Sequence, residues 1–566
     1  MLYELKLMDT VAGVGCFSAM PGPNLSLNQV LDHLRAAPFD DFMHHFALDM
    51  LGKLRTRKVE QYMDAACAKP DKDPMLAALL YEACLSHFRL AHLRERMDGL
   101  DLGMLARNTP GVTIRSHLLP DQNLHREWAQ RFAADRMDHA PLPAPDQDGL
   151  ALPYAEAELR SLPAGVPASE LRQHLADRLP PAKERRPALE TALAALKKLD
   201  QAGAFATPEM QHKACLSPFA RLRHWTFKLS VRNGRNDYTF SGMQTSYGRG
   251  FDADSTRASY AMEVAERFSS YASVGRKGIS GISGSPELVH GSLEEVRAMD
   301  QTKDRALDPR ALRSEVPYQG QQLYWMRGEC ATGGGLVPAL IPMQLVYLFC
   351  NLDEQSLFSG LGSTGLASGN TMAEARVAAL CEVLERDADA VQPLDMRACF
   401  RLETDDPVIQ KHLNALEECG IHVWFQDVTS ELGVPCYKSM VIGTRGDVNQ
   451  GMGCGLNGQR ALLSALTETP YPFPGPATSP APEGLPVRRL EDLPDLSAGS
   501  AEGDLLILEQ TLLANGYTPH YADLTRKDLE IPVCRAIVPG LEIVSDFDRF
   551  TRLSPRLFRN YLRLFE

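Results

Sequence analysis

The chain lacks any apolar run of membrane-spanning length, which gives a transmembrane helix no support. Its N-terminus, Met1-Leu-Tyr-Glu-Leu-Lys, carries an acid early and has neither the basic region nor the apolar stretch of a signal peptide. A cytoplasmic location is the resulting expectation. The 12 cysteines are scattered singly from Cys16 to Cys534, with no Cys-x-x-Cys and no Cys/His zinc spacing. They read as small buried hydrophobes in a reducing compartment. A formal net charge of −13 argues against a generic nucleic-acid binder. The sequence also has no Gly-x-x-x-x-Gly-Lys-Ser/Thr loop and none of the protein-kinase motifs, so an ATP site of either kind is excluded.

What is present suffices for more than one core. At 566 residues, 44% hydrophobic and 23% charged, the chain has the composition of a soluble globular protein of roughly three or four domains. Residues 1–140 read as an all-α region. Leu27, Val30, Leu31 and Leu34 fall on one helical face behind Ser26, and Asp73-Pro74 is an N-cap and first-turn pair for Met75–Cys84. His44, His45 and His87 lie in such helices and read as packed or exposed histidines rather than ligands. Residues 141–153, opening Pro141-Leu-Pro-Ala-Pro145, read as a linker.

Residues 154–212 hold two short helical patterns, one on Leu171, Leu175 and Leu179, the other on Leu189, Leu193, Leu196 and Leu199, ending at Gly203. The segment reads either as a helical connector or as a winged-helix module that binds an extended peptide by strand addition. Its basic residues Lys183, Arg185, Arg186, Lys197 and Lys198 suit DNA or a solvated face equally.

From about residue 213 to the end, strands and helices mix. Two stretches share Glu-x-x-Glu-Arg: Ser259-Tyr-Ala-Met-Glu263-Val-Ala-Glu266-Arg267 and Cys381-Glu382-Val-Leu-Glu385-Arg386. Each follows a small-residue loop, Ser246-Tyr-Gly-Arg-Gly250 or Ser363-Thr-Gly-Leu-Ala-Ser-Gly369. At helical spacing each carboxylate pair shares a face. Alone, such a pair is an ordinary solvated Glu–Arg face. Repeated among apolar neighbours, the pairs need compensation, and magnesium with phosphate supplies it. A second duplication follows. Gly420-Ile-His-Val-Trp-Phe-Gln-Asp427-Val-Thr429 resembles Gly516-Tyr-Thr-Pro-His-Tyr-Ala-Asp523-Leu-Thr525, each before a Pro-containing strand. Together they predict an α+β core of two similar halves that brings the acidic helices to one interface.

At these residues the sequence resembles the YcaO family. Ser259-x-x-x-Glu263-x-x-Glu266-Arg267 is similar to its nucleotide-binding signature, and Ser363 to Asn370, Glu374 and Glu382-Val-Leu-Glu385-Arg386 to its second. Arg460 to Glu468 and Arg535 to Glu542 match further downstream. The resemblance implies a YcaO-type catalytic domain over 213–566 that uses ATP and Mg2+ to phosphorylate a peptide-backbone amide oxygen, leading to an azoline, thioamide or amidine. It implies Glu263, Glu266, Glu382 and Glu385 as magnesium ligands. Ser259, Arg267, Ser363, Asn370, Glu374, Arg386, Glu468, Arg535 and Glu542 are the implied nucleotide contacts. A peptide or protein substrate, a sulfur-donor partner protein and a homodimer are the expected associations. Two departures point away from azoline chemistry: the chain ends Tyr561-Leu-Arg-Leu-Phe-Glu566 rather than in Pro-x-Pro-x-Pro, and Tyr471 stands where many members have Gln. The internal run Pro470–Pro476 reads as a rigid loop. Two other roles stay open, an accessory factor in methylthiolation of a ribosomal protein and a nucleotide-binding scaffold without turnover.

Overall fold

The computed structural model describes residues 1–8, 16–22, 24–145, 147, 149–299, 305–472, 477–544 and 546–566. Among them no helix is long and apolar enough to cross a membrane. Asp146 and Asp148 of the expected linker, and Phe473–Pro476 of the expected rigid loop, lie outside the described residues.

The N-terminal region corrects the all-α reading. It opens with antiparallel strands β1 (Leu2–Met8) and β2 (Cys16–Pro21), and only then come α1 (Leu27–Ala36), α2 (Asp41–Lys53), α3 (Thr56–Ala68), α4 (Pro74–Ser86), α5 (Leu102–Arg107), α6 (Thr113–His117) and α7 (Gln122–Asp138). The helices follow their local signals. Ser26 and Gln29 form a capping box, Asp73 accepts the Leu76 N–H, and Leu27, Val30, Leu31 and Leu34 are buried. Helix α4 is buried on every face from Met75 to Cys84 and forms the centre of this bundle.

The rest of the chain continues through α8 (Glu156–Arg160), α9 (Ala168–His174), α10 (Ala188–Gln201) and the two-residue β3 (Met210–Gln211). The long hairpin β4 (Phe219–Asn233) and β5 (Asn236–Gly250) precedes α11 (Ala253–Ser269). Short elements β6 (Val274–Gly275), β7 (Gly278–Ile279), β8 (Leu288–Gly291) and α12 (Leu293–Met299) lead to β9 (Leu323–Thr332), β10 (Gly335–Pro342), β11 (Leu366–Ser368) and α13 (Met372–Val391). Then come β12 (Cys399–Glu403), α14 (Pro407–Glu418), β13 (Trp424–Asp427), β14 (Cys436–Ile442), β15 (Val448–Cys454) and α15 (Gly458–Glu468). Last are β16 (Val487–Arg489), α16 (Ala501–Ala514), β17 (His520–Asp523), β18 (Val533–Ile537) and α17 (Pro555–Arg563).

The described strands form sheets in the orders β2-β1-β5-β4-β6-β7, β10-β9-β17-β18-β11 and β15-β14-β13-β12-β16. Strand β1 is parallel to β5, with Leu2 opposite Thr239, so the first residues of the chain belong to the sheet that carries α11. The sequence duplication reappears as matching backbone structure. In one copy Thr429 N–H donates to Asp427 Oδ1 and Val428 N–H to the Cys436 carbonyl; in the other, Thr525 N–H donates to Asp523 Oδ1 and Leu524 N–H to the Val533 carbonyl. Gly420 and Gly516, both at positive φ, end the preceding helices α14 and α16.

Two expected boundaries change. Residues 154–212 do not pair their helices into a winged-helix module, because α9 packs on α16 and α10 on α11. The buried face of α10 is Thr191, Ala192, Ala195 and Leu199, while Leu189 and Leu193 of the expected stripe are exposed. Its basic residues dock on the core: Arg185 pairs with Asp504 at 3.1 Å, and Lys198 Nζ donates to the Glu530 carbonyl. The described residues of 141–153 are packed rather than a free linker. Tyr561 Oη donates to the Pro143 carbonyl and Trp128 Nε1 to that of Ala151, and Leu142, Leu150 and Leu152 lie against the cluster joining α7 and α17.

Candidate active site

The small residues before each acidic helix serve close packing. Gly248 belongs to strand β5, not to a loop, and a Cβ there would lie 2.1 Å from the Thr256 carbonyl oxygen of α11. Glycine lets the helix backbone rest on the strand. Gly365 has φ +77°, and a Cβ there would lie 2.2 Å from the Ala536 carbonyl oxygen of β18. At the start of α13, Thr371 Oγ1 accepts from the Glu374 N–H at 3.2 Å and the Glu374 carboxylate accepts from the Asn370 N–H at 2.8 Å.

Placed this way, α11 and α13 form the walls of a cleft of about 460 Å³ floored by Ala367 and Ser368 of β11. Ser368 Oγ donates to the Met262 carbonyl at 2.8 Å and ties floor to wall. Helix α11 contributes Ser259, Glu263, Glu266 and Arg267, and α13 contributes Glu382, Glu385 and Arg386. Glu468, the last residue of α15, and Tyr247 and Arg249 of β5 complete it. Glu263 Oε2 accepts the Tyr247 N–H at 2.9 Å, Arg267 Nη1 lies 3.0 Å from Glu266, and Arg249 Nη2 donates to Glu468 at 2.8 Å. Arg386 stands farther from Glu385, at 3.9 Å.

The electrostatics are unbalanced. Five carboxylates line the cleft against three guanidinium groups. With all of them ionised, an excess of two negative charges remains, which one divalent cation balances before any phosphate is counted. Burial raises the Glu263, Glu266, Glu382 and Glu385 carboxyls above the ordinary range. Glu385 is raised further by Glu468, and Glu266 by Glu382 and Glu263, while Arg267 beside Glu266 pulls the other way. Just behind the cleft, Arg535 is buried with Nη2 donating to the Gly362 carbonyl and Nε without a hydrogen-bond partner.

These are hard oxygen donors that suit Mg2+. Among the described residues, however, no three Asp, Glu, His or Cys side chains converge as a ready-made metal cage. That too fits Mg2+, which takes one or two carboxylates and completes its octahedron with phosphate oxygens and water.

The structure thus brings Ser259, Glu263, Glu266, Arg267, Glu382, Glu385, Arg386 and Glu468 together. It does not place Ser363, Asn370, Glu374, Arg535 or Glu542 on the cleft surface. Ser363 closes the turn before β11, its carbonyl accepting the Leu366 N–H. Asn370 Oδ1 accepts from Arg186 Nη1 and Thr191 Oγ1, which links α10 to the cap of α13, and Glu374 is spent on that cap. Glu542 is buried against Arg313, 3.3 Å away, beside a small pocket that Arg535 also lines.

Sequence reasoning missed Arg249, Cys381 and Cys454 as cleft residues. Arg249 carries a signal, since it sits within the small-residue segment Ser246–Gly250 that precedes the first acidic helix. Burial pushes the Cys381 thiol up to about 12, and the contact with Cys436 together with burial holds the Cys454 thiol well above its ordinary range, which favours the neutral thiol at both.

Comparison with known proteins matches the sequence that builds this cleft to a family. The model described as "YcaO cyclodehydratase, ATP- and Mg2+-binding" covers residues 247–470 and 474–542. An uncharacterized protein of Methanothermobacter thermautotrophicus is 29% identical over 335 residues, 53% of this chain and 82% of the relative. An uncharacterized protein encoded in the tfuA 3′ region of Rhizobium leguminosarum bv. trifolii is 28% identical over 249 residues, 41% of this chain and 55% of the relative. Among solved structures, a heterocyclase in complex with substrate and cofactor has a TM-score of 0.47 at 19% identity, covering 66% of this chain and 56% of its own. YcaO from Methanopyrus kandleri bound with AMPPCP and Mg2+ has a TM-score of 0.43 at 19% identity, covering 63% and 91%. The matched family model spans more than half of the residues, and the chain belongs to the YcaO family, whose description is ATP- and Mg2+-binding.

Proposed function

We propose that the chain uses ATP and Mg2+ to activate a backbone amide of a peptide or protein, on the way to an azoline, thioamide or amidine. The observation that carries this reading is the cleft itself, where two acidic helices present more carboxylate than guanidinium charge. Glu263 and Glu266 on one wall, and Glu382 and Glu385 on the other, hold the metal. Arg267 and Arg386 neutralise charge on the phosphates, with Arg249 steadying Glu468. ATP supplies the phosphoryl group that turns the amide oxygen, a poor leaving group, into a good one. A nucleophile adds to the amide carbon, the oxygen takes the γ-phosphoryl group as ADP departs, and phosphate then leaves with the C–O electron pair.

The protein's part is positioning and charge neutralisation, which matches a site made of rigid helices and rich in ionised groups. The neutral thiols of Cys381 and Cys454 support an external nucleophile over a covalent cysteine mechanism. For a thioamide that nucleophile is a sulfur species delivered by a partner protein.

The test is ADP formation by the purified chain with peptides translated from reading frames that flank its gene, followed by mass spectrometry of the peptide. Loss of water marks an azoline or an intramolecular amidine; exchange of oxygen for sulfur marks a thioamide. Tight Mg–ATP binding without ADP formation on any peptide, with or without a sulfur donor, overturns the reading.

A further inference from the structure

The acidic stripe of α13 does not end at the cleft. Glu382, Glu385, Arg386 and Asp389 follow one another at helical spacing on one face. Beyond Arg386 the stripe enters a second cavity of about 330 Å³, and Arg386 and Glu468 line both cavities. The outer wall of this compartment is Ala133, Arg136 and Met137 of α7, which lie outside the residues matched by the family model. Its far side is Gln450 and Met452 of β15, with Phe547 at the rim.

The two cavities differ in how their carboxylates are paired. In the cleft the carboxylates outnumber their cations. In the compartment Asp389 is ion-paired on both sides, by Lys438 Nζ at 2.8 Å and by Arg136 Nη2 at 3.4 Å. Glu468 is engaged by Arg249 at 2.8 Å, and Asp546 stands exposed at the mouth. What remains for a ligand is the guanidinium of Arg386, 3.9 Å from Glu385, the side-chain amide of Gln450 and the apolar surface of Ala133, Met137, Met452 and Phe547. With Asp389 and Glu468 already paired, the interior of the compartment offers a cation no free carboxylate, and its amide and guanidinium donors beside apolar surface suit an uncharged, amide-bearing guest.

We propose that this compartment receives the substrate's backbone amide, an uncharged stretch of peptide, and that α7 of the N-terminal region is its specificity wall. The inference rests on the amide-activating reading above. Arg386 and Glu468 then stand at the boundary across which the amide oxygen meets the phosphoryl group. Substrate choice is set in part by a helix that lies outside the matched family residues.

The test uses the full chain and a flanking-frame peptide that supports ADP formation. Ala133→Phe fills the compartment from α7. The expected result is a rise of roughly tenfold or more in the peptide KM, with the Mg–ATP Kd within about twofold of wild type. Should Ala133→Phe not fold, Met137→Trp at the exposed rim is read by the same two numbers. An unchanged peptide KM in the folded variant overturns the proposal, and so does a matching loss of Mg–ATP affinity, which would assign the volume to the nucleotide. If the wild-type chain forms no ADP with any peptide, the amide-activating reading fails first and this inference falls with it. A wild-type chain that turns over, beside a variant equal to it, sinks this inference alone.

Discussion

Replacing Glu382 by glutamine should make the metal-free protein more stable and its nucleotide complex weaker. The substitution keeps the shape of the side chain and removes one ionisable group from a crowded wall. Burial pushes the Glu382 carboxyl from 4.5 up to about 7, even though Arg267, Arg386 and Arg535 pull it down. The folded-state value is raised above the unfolded one, so the stability it confers is fully present below about pH 4.5 and is lost as pH rises through about 7. A shift of this size corresponds to about 3 kcal/mol by pH 8. Glu382→Gln removes that slope. In thermal melts with EDTA at pH 8 it should therefore unfold at a higher temperature than wild type, whereas near pH 5 the two should nearly coincide. Saturating Mg–ATP should reverse the order at pH 8. Wild type gains about 3 kcal/mol when the ligand is near a hundred times its Kd, and the variant gains much less. If Glu382→Gln is the less stable protein at pH 8 without metal, the carboxylate is not under electrostatic strain and the metal assignment loses its physical basis.

Because the raised carboxyls must ionise to hold a cation, Mg–ATP binding near neutral pH should release protons, and its calorimetric enthalpy should change with the ionisation enthalpy of the buffer. Equal enthalpies in phosphate and Tris would contradict this. Gly248→Ala should cost about 1–3 kcal/mol of stability, because its Cβ would meet the Thr256 carbonyl at 2.1 Å, and it should weaken Mg–ATP binding by lifting α11. Melting and nucleotide titration of the same sample check both parts. Arg556→Met should destabilise the protein by roughly 3–5 kcal/mol, measured by denaturant unfolding, since it leaves buried Asp387 without its partner at 2.6 Å.

The parts of this fold that the sequence shows are those whose cause is local. Helix α13 is legible because Thr371 and Glu374 cap it and its apolar residues recur at helical spacing. The duplicated motif is legible because Asp427 and Thr429, and again Asp523 and Thr525, close a turn on their own backbone. Strand β1 is not legible. Its partner β5 is supplied by residues near Thr239, and its outward Leu2 and Leu7 spoil the alternation. The glycine stretches misled in an instructive way: beside acidic helices they look like phosphate loops, yet Gly248 and Gly365 are there to admit backbone. Asn370 and Glu542 are polar residues at motif positions whose partners, Arg186 and Arg313, come from elsewhere in the fold, whereas Glu374 caps its own helix through the Asn370 N–H. Spacing alone does not separate a cap from a ligand.

The contrast along α13 explains why a helix so rich in acids can be both a wall of the site and a structural axis. Glu382 and Glu385 face a cleft short of cations, and burial raises them. One turn further on, burial acts on Asp389 in the same direction, yet Arg136 and Lys438 hold its carboxyl down to about 2. Asp387, on another face, is fixed by Arg556 of α17, which also reaches Glu431 at 2.6 Å. The ion-paired aspartates draw α7, β14 and α17 onto the helix, so the C-terminal half of α13 resists any shift that would relieve the crowding of its glutamates. The strain is therefore retained in the metal-free protein and is released by a divalent ion, which converts electrostatic cost in the apo state into affinity for the metal-bound nucleotide.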